Sequence, residues 1–256
     1  MHFFFNDIAY TLGFGQSRHI TVSGSVASGN VLVVQGYSGS GKTTLLRILA
    51  RLQHCNGGEV YLEGKNWLHI PGTAWRADVH YLAQKPALFD GTVAGNLFKP
   101  FETKLLCKKG PDHDKARAYM KKLLLEEGLW NQDARTLSGG EAARLAFVRA
   151  LLIQPKVMLL DEPTAGMNPS ESRDLTNFIR RLRDEIGLTI LLIEHDMHVV
   201  MNVSNQITVL DFGKKIAEGD AWAIRSNPQV IEAYLGRGAA TGSNYGMREA
   251  PAATGS

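Results

Sequence analysis

The stretch Gly36-Tyr37-Ser38-Gly39-Ser40-Gly41-Lys42-Thr43 has the residue types and spacing of a phosphate-binding loop. Its glycines let successive backbone N–H groups curl around phosphate oxygens, and the free amides of a following helix add to that field. Lys42 has the reach to engage β- and γ-phosphates, and the Thr43 hydroxyl suits Mg²⁺. Thr44, next in line, falls within the same nucleotide-binding stretch. A second stretch, Val157-Met158-Leu159-Leu160-Asp161-Glu162-Pro163, supplies carboxylates. Its apolar run ends in Asp161, which places that residue at the carboxyl end of a buried strand, where open α/β sheets bind ligands. Asp161 is suited to hold Mg²⁺ through water, and Glu162 to orient or deprotonate an attacking water. The chemistry is transfer or hydrolysis of a terminal phosphoryl group; the loop alone leaves ATPase, GTPase and kinase open.

Both stretches need strands ending in turns, and the pattern supplies them. Val31-Leu32-Val33-Val34 is a continuous apolar run, the mark of a strand buried on both faces, and it feeds the loop and a helix over Thr43–Leu52. Phe3–Leu12 and Ile20–Val26 alternate loosely and predict a leading antiparallel pair. Glu59–Leu62 and Val79–Leu82 read as short strands. From Gln84 to Arg135 the pattern turns helical, clearest over Asp114–Glu127, with Pro86, Pro100 and Pro111 as punctuation; this is expected to be an inserted lobe. Alternation then resumes: helix Glu141–Ile153, strand Val157–Leu160, helix Ser170–Glu185, strand Thr189–Ile193. Shorter strands over Ile207–Leu210 and Lys215–Ala217 precede a helix over Pro228–Leu235. Such alternation argues for an α/β fold with parallel central strands. After Arg237 the composition shifts to Gly, Ala, Ser and Thr, and residues 237–256 are expected to be a disordered tail.

Composition restricts the partners. The 256 residues suffice for a full core, and 44% hydrophobic with 21% charged content is ordinary for soluble proteins. A net charge of +3, from 28 basic and 25 acidic residues, is too small to argue for nucleic acid. Cys55 and Cys107 lack metal-ligand spacing and suggest free thiols in a reducing compartment. The start Met1-His2-Phe3-Phe4-Phe5 lacks the pattern of a signal peptide, and no apolar stretch reaches the length of a bilayer span. Any link to a membrane is expected through a partner.

Leu137-Ser138-Gly139-Gly140-Glu141, about twenty residues ahead of Asp161, resembles the signature motif of ABC transporter ATP-binding subunits. The resemblance runs over roughly residues 5–236 and implies a P-loop NTPase fold. That fold has a mostly parallel core sheet, an antiparallel β subdomain and an inserted helical subdomain. It implies one ATPase domain over 1–236, with the RecA-like core at 1–84 and 136–236 and the helical lobe at about 85–135. In that family two subunits pack head to tail, so Ser138, Gly139 and Gly140 would close on ATP held by the Gly36–Thr43 loop of the other copy. Gln84 matches the glutamine that touches Mg²⁺ or the lytic water, and His195 the switch histidine at the γ-phosphate. With Lys42 and Glu162 these complete the implied catalytic set.

Asn168 stands where many members carry aspartate, Ala142-Ala143 replaces a more common Gln/Lys-Gln pair, and Arg144 is kept. Phe14 is the expected aromatic on adenine, with Tyr10 the alternative. Ile193-Glu194-His195-Asp196-Met197 and the segment from Ala217 to Gly236 resemble branched-chain amino-acid importers; Tyr81–Val93 resembles short subunits proposed to work in metal or phosphate transport. The implied partners are a membrane permease, a second copy or related ATP-binding subunit, and in an importer a solute-binding protein. The implied place is the cytoplasmic face of the membrane. The rival is a soluble member of the family driving assembly, translation or repair.

Overall fold

A computed structural model describes residues 2–13, 17–211 and 214–235. Elements in chain order are β1 (Phe3–Leu12), β2 (Arg18–Val26), β3 (Val31–Gly36), α1 (Lys42–Leu49), β4 (Gly57–Leu62) and β5 (Lys65–Asn66). Then come α2 (Gly72–Asp78), β6 (Val79–Leu82), α3 (Val93–Phe98), α4 (His113–Lys122), α5 (Gly139–Ile153) and β7 (Val157–Asp161). The chain continues through α6 (Pro169–Ile186), β8 (Thr189–Ile193), α7 (Met197–Val203), β9 (Gln206–Asp211), β10 (Lys214–Gly219), α8 (Ala221–Arg225) and α9 (Pro228–Leu235).

Every residue of β3, β7 and β8 is buried, which is why these strands read as unbroken apolar runs. They lie at the centre of a sheet ordered β10-β9-β3-β8-β7-β6, parallel from β9 to β6, with β10 antiparallel at the edge. Successive side chains leave by opposite faces. Val31, Val33, Met158, Leu160, Ile190 and Leu192 join one hydrophobic cluster with α5, α6 and α7. Leu32, Val34, Val157, Leu159, Leu191 and Ile193 join another, with α1 and the antiparallel sheet β2-β1-β4-β5.

Several expectations change on the structure; the helix expected over Thr43–Leu52 is α1, which runs Lys42–Leu49. The strand expected over Lys215–Ala217 is β10, longer and paired antiparallel to β9. The helix expected over Asp114–Glu127 stops at Lys122, because the chain closes a Schellman-type turn there. Leu125 N–H donates to Met120 O (2.9 Å), Leu124 N–H donates to Lys121 O (3.2 Å), and Leu124 sits at φ +55° where glycine is usual. The inserted stretch is therefore two short helices joined by 3₁₀ turns and loop. Its Val93, Leu97, Ala116 and Met120 share one cluster with Phe147 and Leu151 of α5. The helix expected to start at Glu141 begins at Gly139. The 237–256 expectation lies outside the described residues.

Candidate active site

The turn after β3 is forced by its glycines. A Cβ on Gly36 would stand 2.3 Å from the Leu210 carbonyl oxygen, and the residue's φ is +151°. Only glycine lets β3 press against β9 and still open into the loop. Lys42 is 5% exposed and folds back over this loop. Its ammonium donates to the carbonyls of Gly36 (2.7 Å) and Tyr37 (2.8 Å), and lies 3.4 Å from Ser40 Oγ. Burial draws its pKa below the usual lysine value, opposed by the Glu162 and Asp161 carboxylates.

Asp161 ends β7, 4% exposed, where both carboxylate oxygens are used. Thr43 Oγ1 donates to Oδ1 at 3.0 Å, and the Tyr81 hydroxyl donates to Oδ2 at 2.8 Å. A threonine hydroxyl whose proton is committed to a carboxylate turns its lone pairs outward. Two hard oxygen centres side by side at a phosphate loop are the donor set Mg²⁺ takes, so these residues fit that ion. Burial above all pushes the Tyr81 phenol up to about 12, so it remains a donor.

Glu162 follows in the left-handed region, φ +46°, with its N–H held by Ile193 O at 3.0 Å. Such backbone is costly for a residue with a Cβ and gathers at functional sites. Its carboxylate joins two of the expected residues. Gln84 Nε2 donates to Oε2 at 2.8 Å, and His195 Nε2 lies 2.8 Å from Oε1. One carboxylate thus collects the side chains that follow β6 and β8 at the carboxyl edge of the sheet.

Glu194 braces this edge from behind, 3% exposed. Its Oε1 accepts from Thr164 N–H (3.2 Å) and the Thr164 hydroxyl, and its Oε2 accepts from His195 N–H (3.0 Å). Sequence reading gave no role to Glu194 or Tyr81. A glutamate placed directly after an all-apolar strand was the available signal for the first; Tyr81 left none, since its partner is distant along the chain.

The expected signature residues stand at the start of α5. Ser138 and Gly139 are exposed, and Ser138 caps α5 in a reciprocal box with Glu141. Gly140 is packed so tightly that an added Cβ would meet Glu171 Oε1 at 2.2 Å. Glu171 also closes the capping box of Asn168 at the start of α6, and lies 3.6 Å from Arg144. Asn168 therefore has a local duty: its side chain accepts from the N–H groups of Ser170 and Glu171. Tyr10, the alternative for adenine stacking, is 3% exposed with its hydroxyl on Gly41 O, so its ring belongs to the core. Phe14 lies outside the described residues.

Known proteins resemble this chain in sequence and fold. A family described as "ABC transporter" matches residues 20–165, and one described as "Branched-chain amino acid ATP-binding cassette transporter" matches residues 214–240. The high-affinity branched-chain amino acid transport ATP-binding protein BraF of Pseudomonas aeruginosa is 37% identical over 221 residues, covering 80% of this chain and 87% of its own length. The corresponding LivG of Escherichia coli K12 is 34% identical over 225 residues, covering 78% and 85%. Among solved structures, the ADP conformation of MJ1267, an ATP-binding cassette of an ABC transporter, superposes with a TM-score of 0.75 at 31% identity, covering 92% of this chain and 99% of that one. The chain belongs to the ABC transporter family, as an ATP-binding subunit that hydrolyses ATP.

Proposed function

We propose that this subunit powers import of branched-chain or closely related amino acids through a separate membrane permease. The observation that carries the ATPase half is Glu162, held between Gln84 and His195 beside the Thr43–Asp161 pair. The match over residues 214–240 and the relatives' printed substrates support the solute class. No helix among the described residues is long and apolar enough to cross a membrane, and the proposal assigns the pore to a separate permease chain. We place the subunit on the cytoplasmic face, with residues 1–236 as one ATPase domain. Its core is 1–84 and 136–236, and about 85–135 forms the lobe that meets the permease.

Each residue then has a task. The loop amides and Lys42 bind the phosphates, the ammonium exchanging the carbonyls of Gly36 and Tyr37 for phosphate oxygens. Mg²⁺, when bound, spreads charge from the transferring phosphoryl group. Thr43 and Asp161 are the residues to hold it. Glu162 takes the proton of the attacking water, or orients that water, while His195 and Gln84 fix the carboxylate. The Ser138 hydroxyl and the Gly139 and Gly140 N–H groups at the start of α5, with the helix dipole, face the γ-phosphate in a second copy or related subunit. Each nucleotide so becomes part of a head-to-tail interface, and hydrolysis releases it. A solute-binding protein on the far side of the permease completes an importer.

The test is affinity capture of the tagged chain from gently solubilised membranes, combined with leucine uptake by cells carrying Lys42→Ala. A co-purifying multi-span subunit and lost uptake are expected. Capture with ribosomal, repair or assembly factors alone, and unchanged uptake, would transfer the chain to the soluble branch of its family.

A further inference from the structure

Tyr81 stands on β6 opposite Leu159 of β7, three residues before Gln84. Its ring packs against the hydrophobic cluster that holds Leu45, Leu46 and Leu159, which leaves the hydroxyl little freedom. That hydroxyl donates to Asp161 Oδ2 at 2.8 Å, and Thr43 donates to Oδ1 at 3.0 Å. A carboxylate gripped at one oxygen can swing about its terminal torsion, which is broad and soft. Gripped at both, by groups from two different elements, it cannot. The second grip decides where Asp161 points, and hence where Thr43 points.

We propose that Tyr81 is a positioning residue for the metal site, setting Asp161 in the orientation that lets it and Thr43 receive the nucleotide's divalent cation. This rests on the reading of Thr43 and Asp161 as the metal-holding pair. Hydrogen-bonding partners one step out from metal ligands commonly govern affinity by tenfold or more. Tyr81 also ties that affinity to β6, whose end carries Gln84, so a shift of this strand end moves a metal-site residue and a water-site residue together.

The experiment compares Tyr81→Phe with the parent chain, full length, in the presence of a non-hydrolysable ATP analogue. Mn²⁺ is titrated in and free Mn²⁺ read by electron paramagnetic resonance. The expected result is a half-saturating Mn²⁺ concentration raised about tenfold, with analogue binding in EDTA and the thermal midpoint unchanged. Unchanged Mn²⁺ affinity in Tyr81→Phe, with Asp161→Asn losing it, overturns the role of Tyr81 and spares the metal pair. Unchanged affinity in Asp161→Asn removes the metal pair itself, and the inference with it. Loss of analogue binding in EDTA, or a lowered midpoint, would mark Tyr81 as a packing residue and also overturn it.

Discussion

Glu162 touches both Gln84 and His195, so its removal and theirs are not equivalent. Glu162→Gln keeps a side chain able to hydrogen-bond but no proton acceptor, and ATP hydrolysis is expected to fall by about 10²–10⁴-fold. Fluorescent-nucleotide titration should find ATP binding retained, and gel filtration with ATP should find the pair of subunits trapped. Lys42→Ala acts earlier. It removes the buried cation that reaches the loop, and loss of a charged hydrogen bond predicts ATP affinity weakened by roughly 10- to 100-fold. Lys42, Asp161 and Glu162 were legible in the sequence, because each sits in a short motif whose spacing is fixed by a strand ending in a turn; Gln84 and His195 were reached only through the resemblance to the family. Tyr81 and Glu194 were not. Tyr81 meets Asp161 across 80 positions and Glu194 meets Thr164 across 30, contacts that exist only once β6, β7 and β8 lie side by side.

Among the elements, α6 shows how a loop variant is absorbed. Asn168 caps it, and Glu171 returns the bond. Asn168→Ala should cost about 1 kcal/mol of folding stability in a urea titration, whereas Asn168→Asp should stay within a few tenths, being an equally good cap. The same comparison checks that Asn168 serves the helix as an aspartate would. Buried strands and long helices were readable, since β3, β7 and β8 each carry an unbroken run of four apolar residues and α6 carries cap, stripe and terminal glycine. The end of α4 was not, because Leu124 takes the position where glycine would have announced it. The seven-residue α2 and α7 escaped notice for want of length, too short to show a helical period.

For the whole molecule, stability should depend on pH through His80. Burial, aided by the nearby Arg149 charge, depresses its pKa below the ordinary 6.5, against a weaker pull from Arg76 O. The unfolded chain therefore binds the extra proton first as pH falls. His80 contributes stability that is complete above pH 6.5 and is lost as the pH drops from there through its lower folded value. Denaturation at stepped pH should show that slope, and His80→Gln should flatten it. Another global consequence starts from the left-handed backbone of Glu162. Glycine there would relieve about 1 kcal/mol of backbone cost. Breeding this protein for heat tolerance alone would therefore favour replacing the very side chain proposed to act on the attacking water. The survivors would be sturdy nucleotide binders and idle machines, so any such screen must count phosphate released as well as protein left folded.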